Sequence, residues 1–281
     1  MTEVHAAVEP FETLELSDLA HERDGLRLVT VNSKHLRKRS DVSLWVPQAE
    51  RVGTLLILLH GVYGSHWAWS MKGGVHHTAQ RLMENHEINP MVIAMPNDGL
   101  VGDGSGYLTS PGGEDVERWI LEEVPAIAQI AAPNLLLSAN IGIAGLSMGG
   151  YAALRLGSKY PEQFCAISAH SAFVRFEGIA AFTKEPIESY LQTAPHEELS
   201  ASYWINKHRN KLPPIRFDCG LNDALLESNR ELHAELCERD IAHEYAEFPG
   251  GHEWLYWRTH VAETLRHVDR CSRQEAPREA E

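Results

Sequence analysis

The sequence predicts an α/β protein whose central sheet is mostly parallel and flanked by helices. Short apolar runs alternate along the chain with segments of helical periodicity, and this alternation is typical of parallel sheets built from β-α-β units. A serine between glycines, Ser147, directly follows one apolar run and precedes a helical segment. The predicted class is therefore α/β, with a functional turn at the end of a strand.

The individual elements follow from periodicity and from glycine and proline punctuation. Strands are predicted at residues 42–46, 54–59, 91–95, 141–144, 165–168, 215–219 and 244–248. The clearest helices are predicted at residues 115–131, 148–159, 227–240 and 253–267. The basic cluster Arg37-Lys38-Arg39 lies between two strand-like segments. We interpret it as a solvated hairpin turn rather than a phosphate-binding or targeting patch.

The segment GLSMGG, residues 145–150, carries the chemistry. A serine that follows a strand and precedes a helix, with glycines on both sides, indicates a nucleophile elbow, because only glycine tolerates so tight a turn. Ser147 is the predicted nucleophile. Upstream, the apolar run that ends at Leu59 breaks into a glycine-rich loop, HGVYG at 60–64. In a hydrolase elbow fold this loop and the residue after the serine donate the oxyanion N–H groups, which are here those of Val62 and Met148.

Two further residues complete a predicted catalytic triad. Asp223 follows the strand at 215–219, and His252 follows the strand at 244–248. Parallel strands would bring both loops to the same sheet edge as Ser147. His252 would then act as the base and Asp223 would orient its ring. Asp218 lies inside a strand and is a weaker candidate acid; His243, His260 and His267 lack a glycine-flanked turn and are weaker candidate bases.

Residues 172–213 interrupt the strand and helix rhythm. The interval has no strong strand but is rich in aromatic residues. We interpret it as a small helical cap that contributes to the substrate pocket; the alternative is a helical connection whose aromatic side chains fill the core. The candidate substrate-contacting residues, from the loops and this cap, are Trp67, Tyr107, Trp204 and Trp254. The glycine-rich loop 97–107 lacks a phosphate-binding pattern and is interpreted as a loop over the cleft.

These motifs resemble the esterase D family of α/β-hydrolases, which includes S-formylglutathione hydrolases, tributyrin-type esterases, feruloyl esterases and mycolyltransferases related to antigen 85. The resemblance extends from about residue 29 to about residue 265, and its marks are SLWVP at 43–47, HGVYG at 60–64, MPN at 95–97, GLSMGGY at 145–151 and GGHEW at 250–254. It implies an α/β-hydrolase fold, a Ser-His-Asp triad and no cofactor. One departure counts against glutathione thioester chemistry: residues 62–65 lack the cysteine-containing stretch of the S-formylglutathione branch.

The predicted function is therefore that of a serine carboxylesterase acting on small or short-chain acyl esters. An acyltransferase or thioesterase on the same triad is the alternative, and a non-catalytic binding protein on a hydrolase scaffold is a more distant one. Cys165, Cys219, Cys237 and Cys271 show no paired spacing and are predicted to be free thiols. No metal site is predicted, because the adjacent His76 and His77 point to different faces of a helix.

Length and charge agree with this interpretation. The chain of 281 residues suits a single domain, 1–281. Its formal charge of −14 disfavours nucleic acid and anionic membranes as partners. The first 24 residues lack the basic start and apolar core of a signal peptide, and no apolar run approaches the roughly 18 residues of a membrane span. A cytoplasmic location is expected; the oligomeric state cannot be inferred.

Overall fold

The computed structural model describes residues 11–192 and 194–275. Residues 1–10 of the segment that was compared with a signal peptide therefore lie outside it. Nine strands within the described residues form one sheet. They are β1 (Phe11–Leu16), β2 (Leu26–Ser33), β3 (Lys38–Trp45), β4 (Val52–Leu59), β5 (Val92–Pro96), β6 (Leu135–Leu146), β7 (Ala166–His170), β8 (Ile215–Gly220) and β9 (Glu244–Phe248).

The strand order is β1-β2-β3-β5-β4-β6-β7-β8-β9. The first three strands are antiparallel, and β3 pairs antiparallel with β5. The five pairings from β5 to β9 are parallel. The mostly parallel sheet is therefore confirmed, and all seven predicted strands are present. Strands β1 and β2 were not predicted. Arg37 lies in the β2–β3 hairpin turn with a φ of 56°, whereas Lys38 and Arg39 already belong to β3.

Helices cover both faces of this sheet. The α-helices are α1 (Ala68–Met71), α2 (Val75–Glu84), α3 (Val116–Arg118), α4 (Val124–Ala131), α5 (Met148–Lys159), α6 (Glu188–Leu191), α7 (Ala201–Lys207), α8 (Leu226–Glu238) and α9 (Trp254–Glu275). A π-helical turn, Trp119–Glu123, joins α3 to α4, so the helix predicted at 115–131 is present in three parts. Helices α1 and α2 were missed, and α9 extends beyond the predicted end.

The apolar residues of β4 show how the two layers share the sheet. Leu55, Ile57 and Leu59 point into the core on the side of α4 and α5. Leu56 and Leu58 point into the core on the side of α2 and α9. Alternate residues of a strand face opposite sides of a sheet, so a central strand with both faces covered is apolar throughout. The apolar cores on the two faces fix the sheet in place, and the carboxyl ends of its parallel strands therefore lie together at one edge of the sheet.

The interval 172–213 contains short helical segments rather than strands: α6, α7 and the 3₁₀ turns Phe176–Ala181 and His196–Leu199. Helix α7 packs against α5. Within residues 11–192 and 194–275, no helix combines the length and the apolar character needed to cross a bilayer.

Candidate functional site

Ser147 occupies the sharp turn between β6 and α5. Its φ of 52° and ψ of −116° are unusual for a residue with a side chain. The flanking glycines make this turn possible, because a Cβ on Gly145 would lie 2.4 Å from the backbone of Gly149, and a Cβ on Gly149 would lie 2.4 Å from the carbonyl oxygen of Leu59. The nucleophile elbow geometry predicted from the sequence is therefore present.

The structure brings Ser147, His252 and Asp223 into one hydrogen-bonded series. Nε2 of His252 lies 3.0 Å from Oγ of Ser147, and Nδ1 lies 3.0 Å from each carboxylate oxygen of Asp223. A carboxylate can only accept, so Nδ1 is the donor, and Nε2 of the neutral ring is left to accept the serine proton. The elements that carry these residues are the β6–α5, β9–α9 and β8–α8 connections.

Asp223 is held in its ionised form by its surroundings. Burial alone would raise the pKa of this carboxyl group, but hydrogen bonds from His252, the Leu225 backbone and Ser171 hold it below its ordinary value. The Leu225 N–H donates to Oδ1 at 2.8 Å. A carboxylate that is both ionised and fixed is what orients an imidazole ring and stabilises its protonated form.

Two aromatic rings fix the plane of His252. Phe182 stacks on the imidazole with a centroid separation of 4.5 Å, and Trp257 meets it edge-on at 5.0 Å. The indole N–H of Trp257 in turn donates to Oγ of Ser171 at 3.2 Å. Neither aromatic residue was among the candidates named as substrate contacts, although Phe182 belongs to the aromatic interval interpreted as a cap. Trp257 follows Trp254 by one helical turn, which is the signal that could have revealed it.

The loop after β4 lies directly against the serine turn. A Cβ on Gly61 would fall 3.3 Å from Cβ of Ser147, so a side chain there would crowd Ser147. Val62 lines the same cavity as Ser147, and Met148 is the first residue of α5, whose first amides have no acceptor within the helix. Val62 and Met148 therefore both lie beside Ser147, and the assignment of their backbone N–H groups to an oxyanion hole stays a prediction.

Tyr107 was expected to contact substrate, and its placement corrects that expectation. Its side chain is fully buried, and its hydroxyl lies 3.0 Å from the His60 N–H, from which it accepts, and 3.2 Å from the His60 carbonyl oxygen, to which it donates. The surrounding loop also accepts from Tyr63, whose N–H donates to the Asp103 carbonyl at 2.9 Å. Tyr107 and its loop therefore support the loop that carries Val62 and do not line the cavity.

Trp204 is also misplaced by the sequence-based prediction. It lies on α7, is nearly buried, and donates its indole N–H to the Glu198 carbonyl at 2.9 Å. The amino groups of Lys207 and Lys159 lie 4.4 and 5.1 Å from its ring centroid. Helix α7 packs on α5, and Trp204 is not in the wall of the cavity beside Ser147. This tryptophan therefore packs within the interval 172–213 and does not line the substrate pocket.

A cavity of about 470 Å³ opens beside Ser147. Trp67 and Trp254, both predicted substrate contacts, are in its wall, and Trp67 is 39% exposed. The Lys72 amino group lies 5.9 and 5.8 Å from the ring centroids of these two tryptophans and was not anticipated. The full lining comprises Gly61, Val62, Tyr63, Gly64, Trp67, Ala68, Lys72, Leu146, Ser147, Phe182, His252, Glu253, Trp254 and Trp257.

The rival candidates lie elsewhere. Asp218 is fully buried and pairs with His170 at 3.0 Å and with Arg216 at 2.6 Å. His260 stacks on Phe248, away from Ser147. Burial, with Asp223 and Asp218, raises the pKa of the Cys219 thiol well above its ordinary value, which makes it a poor nucleophile.

Comparison with known proteins agrees with this geometry. The chain is 26% identical over 233 residues to an acetyl esterase of Caldicellulosiruptor saccharolyticus, covering 77% of this chain and 84% of that protein. A solved ferulic acid esterase superposes with a TM-score of 0.75 at 25% identity, over 93% of this chain and 99% of that one. An S-formylglutathione hydrolase from Agrobacterium tumefaciens shares the fold, with a TM-score of 0.72 at 19% identity over 90% and 98% of the two chains.

These similarities confirm the α/β-hydrolase fold and show that the protein is a carboxylic ester hydrolase. The Esterase family model matches residues 33–268, which span the serine elbow, the loop after β4 and the connections that hold Asp223 and His252. The resemblance to the esterase D group is confirmed by the same findings. The chain belongs to the Esterase family.

Proposed function

We propose that the protein hydrolyses small or short-chain acyl esters by a Ser-His-Asp mechanism that passes through an acyl-enzyme. The observation that carries the proposal is the continuous series from Asp223 through His252 to Ser147, with the serine oxygen facing a largely apolar cavity. A serine hydroxyl needs an adjacent base at neutral pH, and this geometry supplies one without any further group.

The first half-reaction transfers the acyl group to the enzyme. Oγ of Ser147 attacks the ester carbonyl carbon while its proton passes to Nε2 of His252. The carbonyl oxygen becomes negatively charged and is bound by the N–H groups of Val62 and Met148, each worth about 3 kcal/mol in such sites. The tetrahedral intermediate then breaks its bond to the alcohol oxygen. That oxygen leaves with the proton from His252, and the acyl group stays on Ser147.

The second half-reaction uses water in place of the alcohol. Water loses a proton to Nε2 of His252 as it attacks the acyl carbon, and the bond to Oγ breaks as the proton returns to Ser147. The carboxylic acid is released and the enzyme is restored. Asp223 stays ionised throughout and stabilises each imidazolium that forms. Trp67 is partly exposed at the cavity, so the cavity is open to solvent and water can reach the acyl-enzyme.

The cavity favours compact apolar acyl or alcohol groups. Its wall is built largely from tryptophan and phenylalanine rings with Val62, Ala68 and Leu146. Two similar proteins are an acetyl esterase and a ferulic acid esterase, and their names refer to esters of small carboxylic acids. We assign the interval 172–213 as a cap because it contributes Phe182, which both lines the cavity and stacks on His252.

The test is hydrolysis of a p-nitrophenyl ester series from acetate to decanoate by the wild type and by Ser147→Ala. We expect short esters to be hydrolysed best, activity to be lost in the variant, and a fluorophosphonate to label only the wild type. Ester hydrolysis that persists in a folded Ser147→Ala protein would refute the mechanism. Fluorophosphonate labelling together with turnover of thioesters but not of esters would favour the thioesterase alternative. Mainly transesterified product in the presence of an added alcohol would favour the acyltransferase alternative.

A further inference from the structure

A cluster of two histidines and one cysteine lies where helix α8 meets strand β9, and the esterase mechanism uses none of it. His233 and Cys237 are on α8, and His243 immediately precedes β9. One ligand atom from each, two ring nitrogens and the sulfur, all lie within 4.8 Å of one another. His233 and His243 are half-buried and Cys237 is exposed. The residues come from two elements, so the fold itself brings them together.

The ring of His243 is already oriented as a ligand. Its Nδ1 lies 2.8 Å from the carbonyl oxygen of Ile241, and because a carbonyl only accepts, Nδ1 carries the proton. Nε2 therefore presents its lone pair to the cluster. Metal-bound histidines almost always donate their other ring nitrogen in this manner. Phe217 stacks on the ring at 5.6 Å and restricts its rotation.

His233 and Cys237 are one helical turn apart and so project from the same face of α8. Sγ of Cys237 lies 3.8 Å from Nδ1 of His233. Ligands on one zinc ion with ordinary Zn–S and Zn–N lengths and a tetrahedral angle lie about 3.6 Å apart, which closely matches this separation. Tyr245 stacks on His233 at 4.7 Å, so this second ring is also supported.

The ligand atoms of Cys237 and His243 lie within 4.8 Å of each other, but the separation between the two histidine nitrogens is shorter than a metal requires. Nδ1 of His233 lies 2.7 Å from Nε2 of His243, a hydrogen-bond distance, and the two nitrogens on a tetrahedral zinc ion would lie about 3.3 Å apart. A ring movement of about 0.6 Å makes room. The proton between the two nitrogens must then leave Nδ1 of His233, and Nε2 of that ring can take it.

We propose that His233, Cys237 and His243 form a binding site for Zn²⁺. Two imidazole nitrogens and one thiolate form a ligand set that binds zinc in preference to magnesium or calcium. The exposed side of Cys237 leaves a fourth position for water. On binding, the Cys237 thiol releases its proton to solvent while the His233 proton moves to the other ring nitrogen, so one proton is released per ion. The ion would tie the end of α8 to the start of β9.

The experiment is a metal titration of the full-length protein after chelator treatment, under reducing conditions. Co²⁺ serves as the spectroscopic probe for the zinc site. We expect one ion per chain at this site, ligand-field bands in the visible range, and a thiolate-to-cobalt charge-transfer band in the near ultraviolet. Zn²⁺ should displace the cobalt, release one proton in calorimetry and raise the Tm.

Three variants test the assignment. Cys237→Ser should abolish the charge-transfer band, and its exposed position makes misfolding a minor risk. His243→Gln should weaken zinc binding by about 100-fold or more, since even loss of an outer-shell partner often costs 10- to 100-fold. His77→Gln is the matched control. Contrary to the expectation that His76 and His77 point to different faces of a helix, their ring centroids lie 3.8 Å apart, and with Asp24 they form a second group of close ligand atoms that contains no sulfur.

Binding that is retained in His77→Gln and lost in Cys237→Ser supports the site. Wild-type protein without a charge-transfer band, or binding that survives Cys237→Ser and is lost in His77→Gln, would overturn it. The zinc-dependent rise in Tm should follow the same pattern.

Discussion

The backbone N–H of Ser147 donates a hydrogen bond to the carbonyl oxygen of His170 at 2.8 Å. The serine is thereby tied to β7, the strand next to its own. The His170 ring is itself held by Asp218, whose other partners are Arg216 and Tyr256. A buried charged network therefore supports the turn that carries Ser147, although none of its side chains is in the cavity wall.

Asp218→Asn should destabilise the whole protein. Burial would raise the pKa of Asp218, but His170, Arg216 and Tyr256 lower it to about 2, so the carboxylate is the counter-charge of the network. Removing one partner of a buried ion pair costs about 3–5 kcal/mol. Urea unfolding should show this loss, whereas Glu238→Gln, on the exposed side of α8, should leave the free energy of unfolding nearly unchanged. Equal stability of the two variants would contradict the role assigned to Asp218.

Asp223→Asn should leave the protein folded and lower kcat by about 10⁴-fold, as expected when the acid of such a triad becomes an amide. The amide can donate to Nδ1 of His252, which would then present its proton toward Ser147 and could no longer act as a base. The kcat for p-nitrophenyl acetate measures the effect, and slow fluorophosphonate labelling would verify that the serine is intact. A kcat near that of the wild type would assign the acid to another residue.

Gly149→Ala should destabilise the elbow. The added Cβ would lie 2.4 Å from the Leu59 carbonyl oxygen and 2.6 Å from that of His60, which forces β4 and α5 apart. We expect a loss of about 3 kcal/mol and a matching fall in Tm. Gly53→Ala is the control, because a Cβ there has no atom within 4 Å. If both variants melt at the wild-type temperature, the packing argument fails.

Trp254→Ala should change substrate binding, whereas Trp204→Ala should change stability. Trp254 lines the cavity, so its loss should raise the KM for short p-nitrophenyl esters by about tenfold, the scale of a lost hydrophobic contact in a pocket. Trp204 lies on α7 and is not in the cavity wall, so its loss should lower the Tm with little effect on KM. A steady-state comparison of both variants decides the matter; a raised KM in Trp204→Ala would restore that residue to the pocket.

Glu117 should make the protein sensitive to acid. Burial opposes its ionisation, but Arg155, Lys159 and Tyr160 outweigh burial and lower its pKa from 4.5 to about 2. The group thus stabilises the folded state above its unfolded pKa, and this contribution is lost as the pH falls toward about 2. The free energy of unfolding should fall by about 3 kcal/mol over that range from this group.

Urea unfolding of the wild type and Glu117→Gln at a series of pH values tests this. The variant should be less stable at neutral pH, because Arg155 is left buried without its partner, and its stability should depend less on pH below 5. Parallel pH profiles for the two proteins would exclude Glu117 as the source.

The features that could be predicted from the sequence are those that depend on local geometry. Ser147 is readable because only glycine tolerates the approach of β4 and α5, and the buried strands are readable because both of their faces are apolar. β1 escaped prediction because most of its side chains are exposed, so it has no apolar run. Tyr107 and Trp204 were placed wrongly because an aromatic residue near a motif fills core as readily as it lines a pocket. The spacing of His233 and Cys237 was visible, but only the turn into β9 brings His243 to them.

The strand order also determines the order in which the strands can pair while the chain is being synthesised. β6 pairs with the free edge of β4, and β7, β8 and β9 each pair with the strand before them in the chain, so this side of the sheet grows outward in the order in which the chain is made. Until the next strand arrives, that edge has unpaired backbone groups that can bind another chain. His252, the proposed base, follows β9, so a growing chain cannot complete the proposed triad until that strand has been made.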